Sequence, residues 1–225
     1  MDSDVTLLDE QKKARPETRS RKNDPERTKS DILAVATEEF AAHGLSGARV
    51  DEIALRTKTS KRMIYYYFGS KEGLYLAVLE KAYRDIRAIE SSLHLEDMAP
   101  EAAIRRLVEF TFDYQDANPD FIRLVSIENI HNAEHVARSA SIRSLNVSVI
   151  ETIRAILQRG REQGVFRVEI DPIDLHMLIS AFCFFRVSNR HTFGAIFGRD
   201  LSAPELRARH KRMIGDAIIR LLKGD

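Results

Sequence analysis

The sequence has a single cysteine, almost no net charge and no apolar run long enough for a membrane span, and each shortage excludes something. One cysteine in 225 residues cannot form an internal disulfide, which favours a reducing compartment. A net charge of +1 means that binding to nucleic acid or to a membrane would depend on local patches. The longest run of mainly apolar residues, Met177–Phe185, is far shorter than the roughly 20 residues that span a bilayer. The acidic N-terminus also lacks the layout of a signal peptide, so we expect a cytoplasmic protein with no membrane partner.

Signatures of catalysis are equally scarce. The chain has no glycine-rich phosphate loop and no G-x-S-x-G motif. The pattern HNAEH, His131 to His135, matches the H-x-x-E-H form of a zinc peptidase if both histidines lie on one helical face, with Glu151 or Glu162 as third ligand. Cys183 lies in the apolar segment AFCFF, where burial makes a thiol inert. We therefore expect no catalytic residue, no metal and no cofactor, and zinc hydrolysis stays an alternative.

Signals for the beginnings of helices recur along the chain. Asp24-Pro25, Asn118-Pro119 and Asp171-Pro172 each place a capping residue before proline at the first helical position, and Ser202–Glu205 has the pattern of a capping box. Between these signals apolar residues recur every three or four positions. The one strand-like stretch, Val165–Ile170, is short and is interpreted as a loop. The pattern predicts an all-α fold with helices over residues 25–43, 50–57, 60–67, 70–92, 100–116, 119–130, 133–160, 172–194 and 203–222.

Residues 50–68 have the pattern of two short helices around a tight connection. Val50, Ile53 and Ala54 give the first helix an apolar side, and Ala54 is small where the second helix must cross closely. Ile64 and Phe68 give the second helix its matching inner side. This arrangement predicts a helix-turn-helix, whose second helix can enter the major groove of DNA.

The opposite side of the second helix is basic and aromatic. It presents Lys61, Arg62 and Tyr65, flanked by Tyr66 and Tyr67. Between residues 49 and 71 there are six basic and two acidic residues, in a chain whose net charge is +1. Lys and Arg neutralise phosphates, and tyrosine hydroxyls donate to phosphate oxygens while their rings pack against sugars and thymine methyl groups. A solvated surface with a partly buried tyrosine cluster is the alternative interpretation.

Residues 27–79 resemble the DNA-binding domain of the tetracycline-repressor (TetR) family. The likeness rests on RTKSDILAVATEEFAAHG followed by VDEIALRTKTSKRMIYYYFGSKEGLYLAVLE, in which an aromatic-aromatic-Phe segment and Ser-Lys-Glu open a fourth helix. It implies that residues 59–67 form the recognition helix region, and that Lys71 and the tyrosines hold phosphates. The residues expected to contact DNA are Arg49, Thr59, Ser60, Lys61, Arg62, Met63, Tyr65, Tyr66, Tyr67 and Lys71.

The sequence departs from the family pattern in and around this motif. Lys58 occupies a turn position that is usually glycine, where the backbone can adopt positive φ. Arg62 replaces a small residue, and Arg49 replaces a threonine. These changes add charge and donor reach, so base preference cannot be transferred from relatives. Arginine pairs bidentately with guanine, which makes Arg62 a candidate for base contact.

For the remaining two-thirds of the chain the resemblance implies a helical domain that dimerises through its last two long helices and holds a small-molecule cavity. The last helix carries a stripe at helical spacing, which we expect at a dimer interface: Leu206, His210, Met213, Ala217 and Leu221. Residues 177–185 are apolar on all sides, so they need cover on all sides. The alternative is that both segments belong to the core of one chain.

The expected ligand cavity is formed by Phe110, Tyr114 and Phe182, with Arg186 and Asn189 at its polar end. An arginine there favours a carboxylate ligand, since its donors are bidentate. The alternative is a structural ion pair between Arg186 and Glu128, because a charge beside an apolar run is costly unless it is paired.

These observations predict a DNA-binding transcriptional regulator, a repressor that binds a palindromic operator as a homodimer and is released by a small-molecule effector. We expect a disordered tail over residues 1–23, a helix-turn-helix domain over residues 24–70, and a ligand-binding and dimerisation domain over residues 71–225. A DNA-binding protein that needs no ligand is the alternative within the same class.

Overall fold

The computed structural model describes residues 24–224, so the predicted tail lies outside the described residues. Within this range the chain contains ten α-helices and no strand, which confirms the all-α prediction. Two short 3-10 turns, Leu95–Asp97 and Val136–Arg138, connect them. The helices are α1 (Pro25–Gly47), α2 (Val50–Arg56), α3 (Lys61–Phe68), α4 (Lys71–Ser91), α5 (Pro100–Ala117), α6 (Pro119–Ile130), α7 (Ala140–Glu162), α8 (Pro172–Ser188), α9 (Arg190–Phe197) and α10 (Pro204–Lys223).

Two of the predicted helix starts have the expected caps. The Asp24 carboxylate accepts hydrogen bonds from the backbone of Glu26 and Arg27, and the Asp171 carboxylate accepts one from Ile173 at 2.7 Å. Each cap satisfies backbone donors that have no partner within the helix. The predicted helix end at Gly44 is a break in α1 at φ 66°, after which one more turn follows.

The other two predicted caps are wrong. The Asn118 side chain donates back to the Tyr114 carbonyl at 2.8 Å, so it completes α5 and does not cap α6. In the predicted capping box, Ser202 donates its hydroxyl to the Asp200 carboxylate at 2.6 Å, and α10 begins after Ala203 without a side-chain cap. In both cases a nearer backbone or carboxylate partner competes for the capping side chain.

α7 begins seven residues later than predicted. Asn132 and Ala133 have positive φ, 54° and 58°, which no helix accommodates, so residues 131–138 form turns. Ser139 then caps α7 by accepting from the backbone of Ile142 at 3.1 Å. The prediction failed because apolar residues in these turns happen to have the spacing that is typical of a helix.

The helix predicted over residues 172–194 is two helices. α8 ends at Ser188, and Asn189 leaves helical geometry at φ −104° and ψ 7° before α9 begins. Asparagine competes for backbone partners with its own amide and so favours helix ends. The interpretation of Val165–Ile170 as a loop is confirmed, since no regular element includes it.

One apolar core joins the first four helices to α6 and α7. Ile32, Phe40, Ile64 and Leu74 are fully buried in it, and so is Leu124 of α6. α4 packs on α3 at one end and on α7 at the other. The N-terminal helices therefore rest on the rest of the chain and are not joined to it by a flexible linker.

A second core lies among α5, α7, α8 and α10. Ile104, Ile153, Leu175 and Leu222 are buried in it. Phe166, in the loop between α7 and α8, closes it against Gly160, where an added Cβ would lie only 2.0 Å from the Phe166 ring. No helix in residues 24–224 has the length and apolarity needed to cross a membrane.

Candidate DNA-binding surface and C-terminal cavities

α2 and α3 form the expected helix-turn-helix. Ile53 and Ile64 are fully buried between them, and Ala54 is buried at their crossing. Ser60 starts α3 by accepting a hydrogen bond from the Met63 backbone at 3.2 Å. α3 is therefore packed firmly against α2, and this packing fixes the direction in which its outer side chains point.

Much of the outer side of α3 is open to solvent. Tyr66 is 77% exposed and Tyr65 38%, and the side chains of Lys61 and Arg62 are exposed beside them. Tyr67 is half-buried, with the Lys29 ammonium of α1 5.6 Å from its ring centroid. We call this face of α3, with its neighbours from α1 and α4, the recognition surface. Lys29 was missed from the sequence because only the packing of α1 beside α3 places it there.

The ten residues predicted to contact DNA lie around this surface with different exposure. Arg49 and Ser60 are exposed, whereas Thr59 and Met63 are half-buried. Lys71 is half-buried at the start of α4, where its ammonium donates to the Ser46 carbonyl at 3.3 Å. The structure shows where these side chains lie, and their contacts with DNA remain a prediction.

Ion pairs reduce the positive charge of the surface at three positions. Lys29 pairs with Glu26 at 2.9 Å. Lys61 pairs with Asp51 at 2.9 Å, and the same carboxylate raises the pKa of the Lys61 ammonium. Arg56 pairs with Glu38 of α1. Four basic side chains in this region form no ion pair with another described residue: Arg49, Lys58, Arg62 and Lys71.

Lys58, in the turn before α3, has the positive φ that its position suggested, at 54°. Left-handed backbone is strained for any residue with a Cβ atom. Glycine removes the strain in the folded state, but it also gives the unfolded chain more conformational freedom, which offsets part of the gain. We therefore expect Lys58→Gly to raise the free energy of unfolding by about 0.5–1 kcal/mol. Denaturant unfolding measures this. The control Lys58→Ala removes the same charge and keeps the Cβ; equal stability of the two variants would contradict the assignment of strain.

The predicted partner of Arg186 is wrong. Arg186 is only 5% exposed, pairs with Asp116 of α5 and donates to the Leu201 carbonyl at 2.7 Å. Glu128 instead accepts hydrogen bonds from the loop after α6, including the ring of His135 at 3.1 Å. A buried guanidinium requires a carboxylate partner. The sequence contains several candidate carboxylates on other helices, and it does not identify which of them lies beside Arg186.

The five residues predicted to form one ligand cavity are not brought together. Phe182 and Arg186 line a cavity of about 470 Å³ with Phe185, Leu201 and Met213, which we call the α8–α10 cavity. The remaining three do not line this cavity. Phe110 and Tyr114 pack on each other with ring centroids 5.7 Å apart, and Asn189 lies at the break between α8 and α9.

A second cavity of about 470 Å³ lies between α4, α7 and α8, which we call the α4–α7–α8 cavity. Tyr83, Arg143, Asn146 and His176 are its lining residues with polar side-chain groups, and the other lining residues are apolar. These residues were missed from the sequence. Arg143, Asn146 and Ile150 do form a stripe at helical spacing on α7, but only the fold shows that α4 and α8 leave an opening over it.

The outer sides of α8 and α10 are apolar and uncovered in the single chain. In the predicted stripe on α10, Met213 is 48% exposed and Leu221 is 39% exposed, whereas Ala217 is exposed and Leu206 and His210 are half-buried. On α8, Met177 and Phe185 are at least half exposed. The core-facing side of α10 uses other residues, such as Ile214 and Ile218. The stripe is therefore separate from the core of the chain.

The helical zinc site suggested by HNAEH is wrong. Residues 131–135 form turns, with His131 exposed and His135 buried against Glu128. Glu151 pairs with Arg154, and Glu162 accepts from Gln158. Within residues 24–224 the only three side chains close enough to share a metal ion are the exposed His94, Glu96 and Asp97.

Cys183 has the environment that the sequence indicated. It is buried in the second core, and burial raises the pKa of its thiol to about 12. A thiol with so high a pKa carries almost no thiolate at neutral pH and is a poor nucleophile.

Comparison with known proteins agrees with this architecture along most of the chain. A family described as "Bacterial regulatory proteins, tetR family" matches residues 32–78, and one described as "Tetracyclin repressor-like, C-terminal domain" matches residues 100–218. The chain is 35% identical over 198 residues to the HTH-type transcriptional repressor NicS of Pseudomonas putida, covering 88% of this chain and 93% of that relative.

Two proteins of Streptomyces coelicolor extend the likeness. The HTH-type transcriptional repressor SCO4008 is 36% identical over 169 residues, which cover 70% of this chain and 77% of that protein. The crystal structure of SCO4942 matches with a TM-score of 0.65 at 26% identity, covering 84% of this chain and 97% of that one. The chain belongs to the TetR family of transcriptional regulators.

Proposed function

We propose that the protein is a repressor that binds a two-fold symmetric operator as a homodimer and is released from it by a small molecule. The observation that carries the proposal is the recognition surface, in which cationic and aromatic side chains are exposed on a helix whose inner side is fully packed. Exposed aromatic and basic groups on a rigid helix suit phosphate contact and base contact in the major groove. NicS and SCO4008 are both transcriptional repressors, which supports the direction of regulation.

Within the recognition surface the side chains differ in reach and chemistry. Lys71, at the start of α4, lies where an ammonium can approach a phosphate that also faces the positive end of the helix dipole. Arg62 is exposed on the first turn of α3 and has no ion-pair partner among the described residues, so its guanidinium is available to a guanine edge. We assign the exposed hydroxyls of Tyr65 and Tyr66 to neighbouring phosphates.

The homodimer is proposed from the uncovered apolar sides of α8 and α10. Contiguous apolar surface of this kind marks an interaction site in a soluble protein. The α8–α10 cavity opens on the same side, and Arg186 in it is already paired with Asp116. We therefore assign Phe182, Phe185 and Met213 to the contact between two copies of the chain and not to the effector.

Selection of operator sequences tests the proposal. From a random DNA library the protein is expected to enrich a palindrome whose half-sites lie about 34–36 Å apart, one helical turn, or a stretched version of that spacing. Sedimentation at the same protein concentration should show a dimer. A monomeric protein, or enriched sequences without two-fold symmetry, would overturn the proposed assembly.

A further inference from the structure

The α4–α7–α8 cavity combines polar groups from two helices with apolar lining. Arg143 and Asn146, one turn apart on α7, face the same opening as His176 of α8. Val149 and Ile150, one to two turns further along α7, add apolar lining. A volume of about 470 Å³ is in the range of small-molecule sites, which combine apolar walls with a few placed polar groups.

The charge in this cavity has one sign. Among the described residues no carboxylate lines it, and Arg143 forms no ion pair with any of them. One N–H of the Arg143 guanidinium donates to the Ala137 carbonyl at 3.1 Å, which orients the group and leaves its other donors for a ligand. An arginine held at one end of an apolar cavity presents paired donors that match a carboxylate.

His176 and Asn146 add neutral groups beside this charge. Burial, and to a smaller extent the Arg87 guanidinium, lowers the pKa of His176 from 6.5 to about 4, so its ring is neutral at pH 7 and has one N–H donor. The Asn146 side chain donates to the Ile142 carbonyl at 2.8 Å, which holds its amide against the cavity wall. Hydrogen bonds therefore hold Arg143 and Asn146 in place before a ligand binds.

We propose that this cavity binds a small organic carboxylate with an apolar body, its carboxylate on Arg143 beside His176 and its body against Val149 and Ile150. The inference rests on the proposed function, since it identifies this cavity as the effector site and gives the chemical class of the effector. It replaces the assignment to Arg186, whose guanidinium is already used by Asp116 and Leu201.

The cavity shares three wall residues with the core under the recognition helix. Tyr83 of α4, Val136 of the 3-10 turn and Ile142 of α7 line the cavity, and all three belong to or pack against the core that contains Ile64. Close-packed side chains transmit displacement, because they leave no free volume to absorb it. A ligand that needs more room than the empty cavity offers therefore moves the base of the helix-turn-helix.

The turn that carries Val136 is held firmly. The Glu128 carboxylate accepts from the backbone N–H groups of His135 and Val136 at 3.1 and 3.0 Å. α4 runs from the recognition surface to the cavity, since Lys71 begins it and Tyr83 lies about three turns further along. Effector binding lowers operator affinity only by favouring an arrangement of these elements that fits DNA less well.

The experiment measures binding of benzoate, hexanoate and octanoate to the full-length protein by calorimetry, each against its primary amide. Labelled operator is followed in parallel by fluorescence anisotropy. We expect at least one acid to bind and release the operator, and its amide to do neither. Arg143→Met keeps the aliphatic stem of an exposed side chain, so the fold should survive. It is expected to weaken acid binding roughly tenfold or more, so the acid concentration that releases the operator from the wild type should no longer release it from the variant.

Arg154→Met is the matched control, because Arg154 is an exposed arginine on the same helix outside this cavity. It should bind the acid like the wild type. Amides that bind as well as acids, acid binding that survives Arg143→Met, or no acid binding at all would each overturn the inference. None of these results affects the proposed dimeric repressor, which fails if the protein without ligand is a monomer or binds no palindromic operator.

Discussion

Met213→Glu is expected to turn the dimer into a monomer and to lower operator affinity by about a hundredfold or more. The Met213 side chain is 48% exposed in the single chain, so a glutamate is tolerated in the monomer. In the proposed dimer the same position is covered by apolar groups of the second copy. Burying a carboxylate without a partner there costs several kcal/mol, and the dimer supplies one from each subunit. A monomer keeps one recognition helix and loses the second half-site.

Sedimentation velocity and a titration of labelled operator measure the two effects together. Ala208→Glu is the control, since Ala208 is exposed and lies roughly half a turn around α10 from Leu206 of the stripe. It adds the same charge to the same helix and should leave the dimer and its operator binding unchanged. A dimeric Met213→Glu protein would place the subunit interface elsewhere.

Lys71→Ala and Arg62→Ala are expected to weaken DNA binding in two different ways. Removing the Lys71 ammonium leaves one DNA phosphate per subunit without its cation, so affinity should fall to a similar extent for all DNA sequences. The slope of log affinity against log salt concentration should become shallower by about 0.9 for each phosphate that is no longer neutralised. Removing the Arg62 guanidinium should mainly reduce the preference for the operator over a variant with one guanine replaced, by about 1–3 kcal/mol for each bidentate arginine–guanine pair.

Titrations at several salt concentrations, with operator and unrelated DNA, separate these outcomes. Lys81→Ala provides the control, because Lys81 is a lysine of α4 that pairs with Asp85 and lies away from the recognition surface. It should change neither the slope nor the preference. The proposed docking is rejected if Lys71→Ala keeps the wild-type salt dependence.

The helix-turn-helix was predictable from sequence because its determinants are local. Ile53, Ala54 and Ile64 lie within twelve residues, and their spacing specifies which sides of two short helices meet. Ser60 and Ser70 mark helix starts by the hydrogen bonds that they accept from backbone three residues later. Even the strained turn at Lys58 was visible, because the family pattern has glycine there.

The C-terminal part was less predictable because its determinants are distant in sequence. Arg186 had to be paired, but whether with Glu128 or with Asp116 depended on how α5, α6 and α8 pack, and the structure selects Asp116. The HNAEH pattern has helical spacing, yet left-handed backbone at Asn132 and Ala133 breaks the helix before both histidines can share a face. The spacing of residues within one segment therefore could not predict the partner of Arg186 or the break at Asn132 and Ala133.

The sequence alone determined that this protein is all helical, where its DNA-binding helices begin, and which side of the recognition helix carries charge and aromatic rings. These properties follow from the periodicity of apolar residues and from caps, which act within a few residues. The tertiary structure alone decided which buried charges pair and where cavities remain. It also decided that Tyr83, Val136 and Ile142 serve both a cavity and the core beneath the recognition helix. These properties arise where helices distant in sequence pack together, and the space left between them depends on all of their side chains at once.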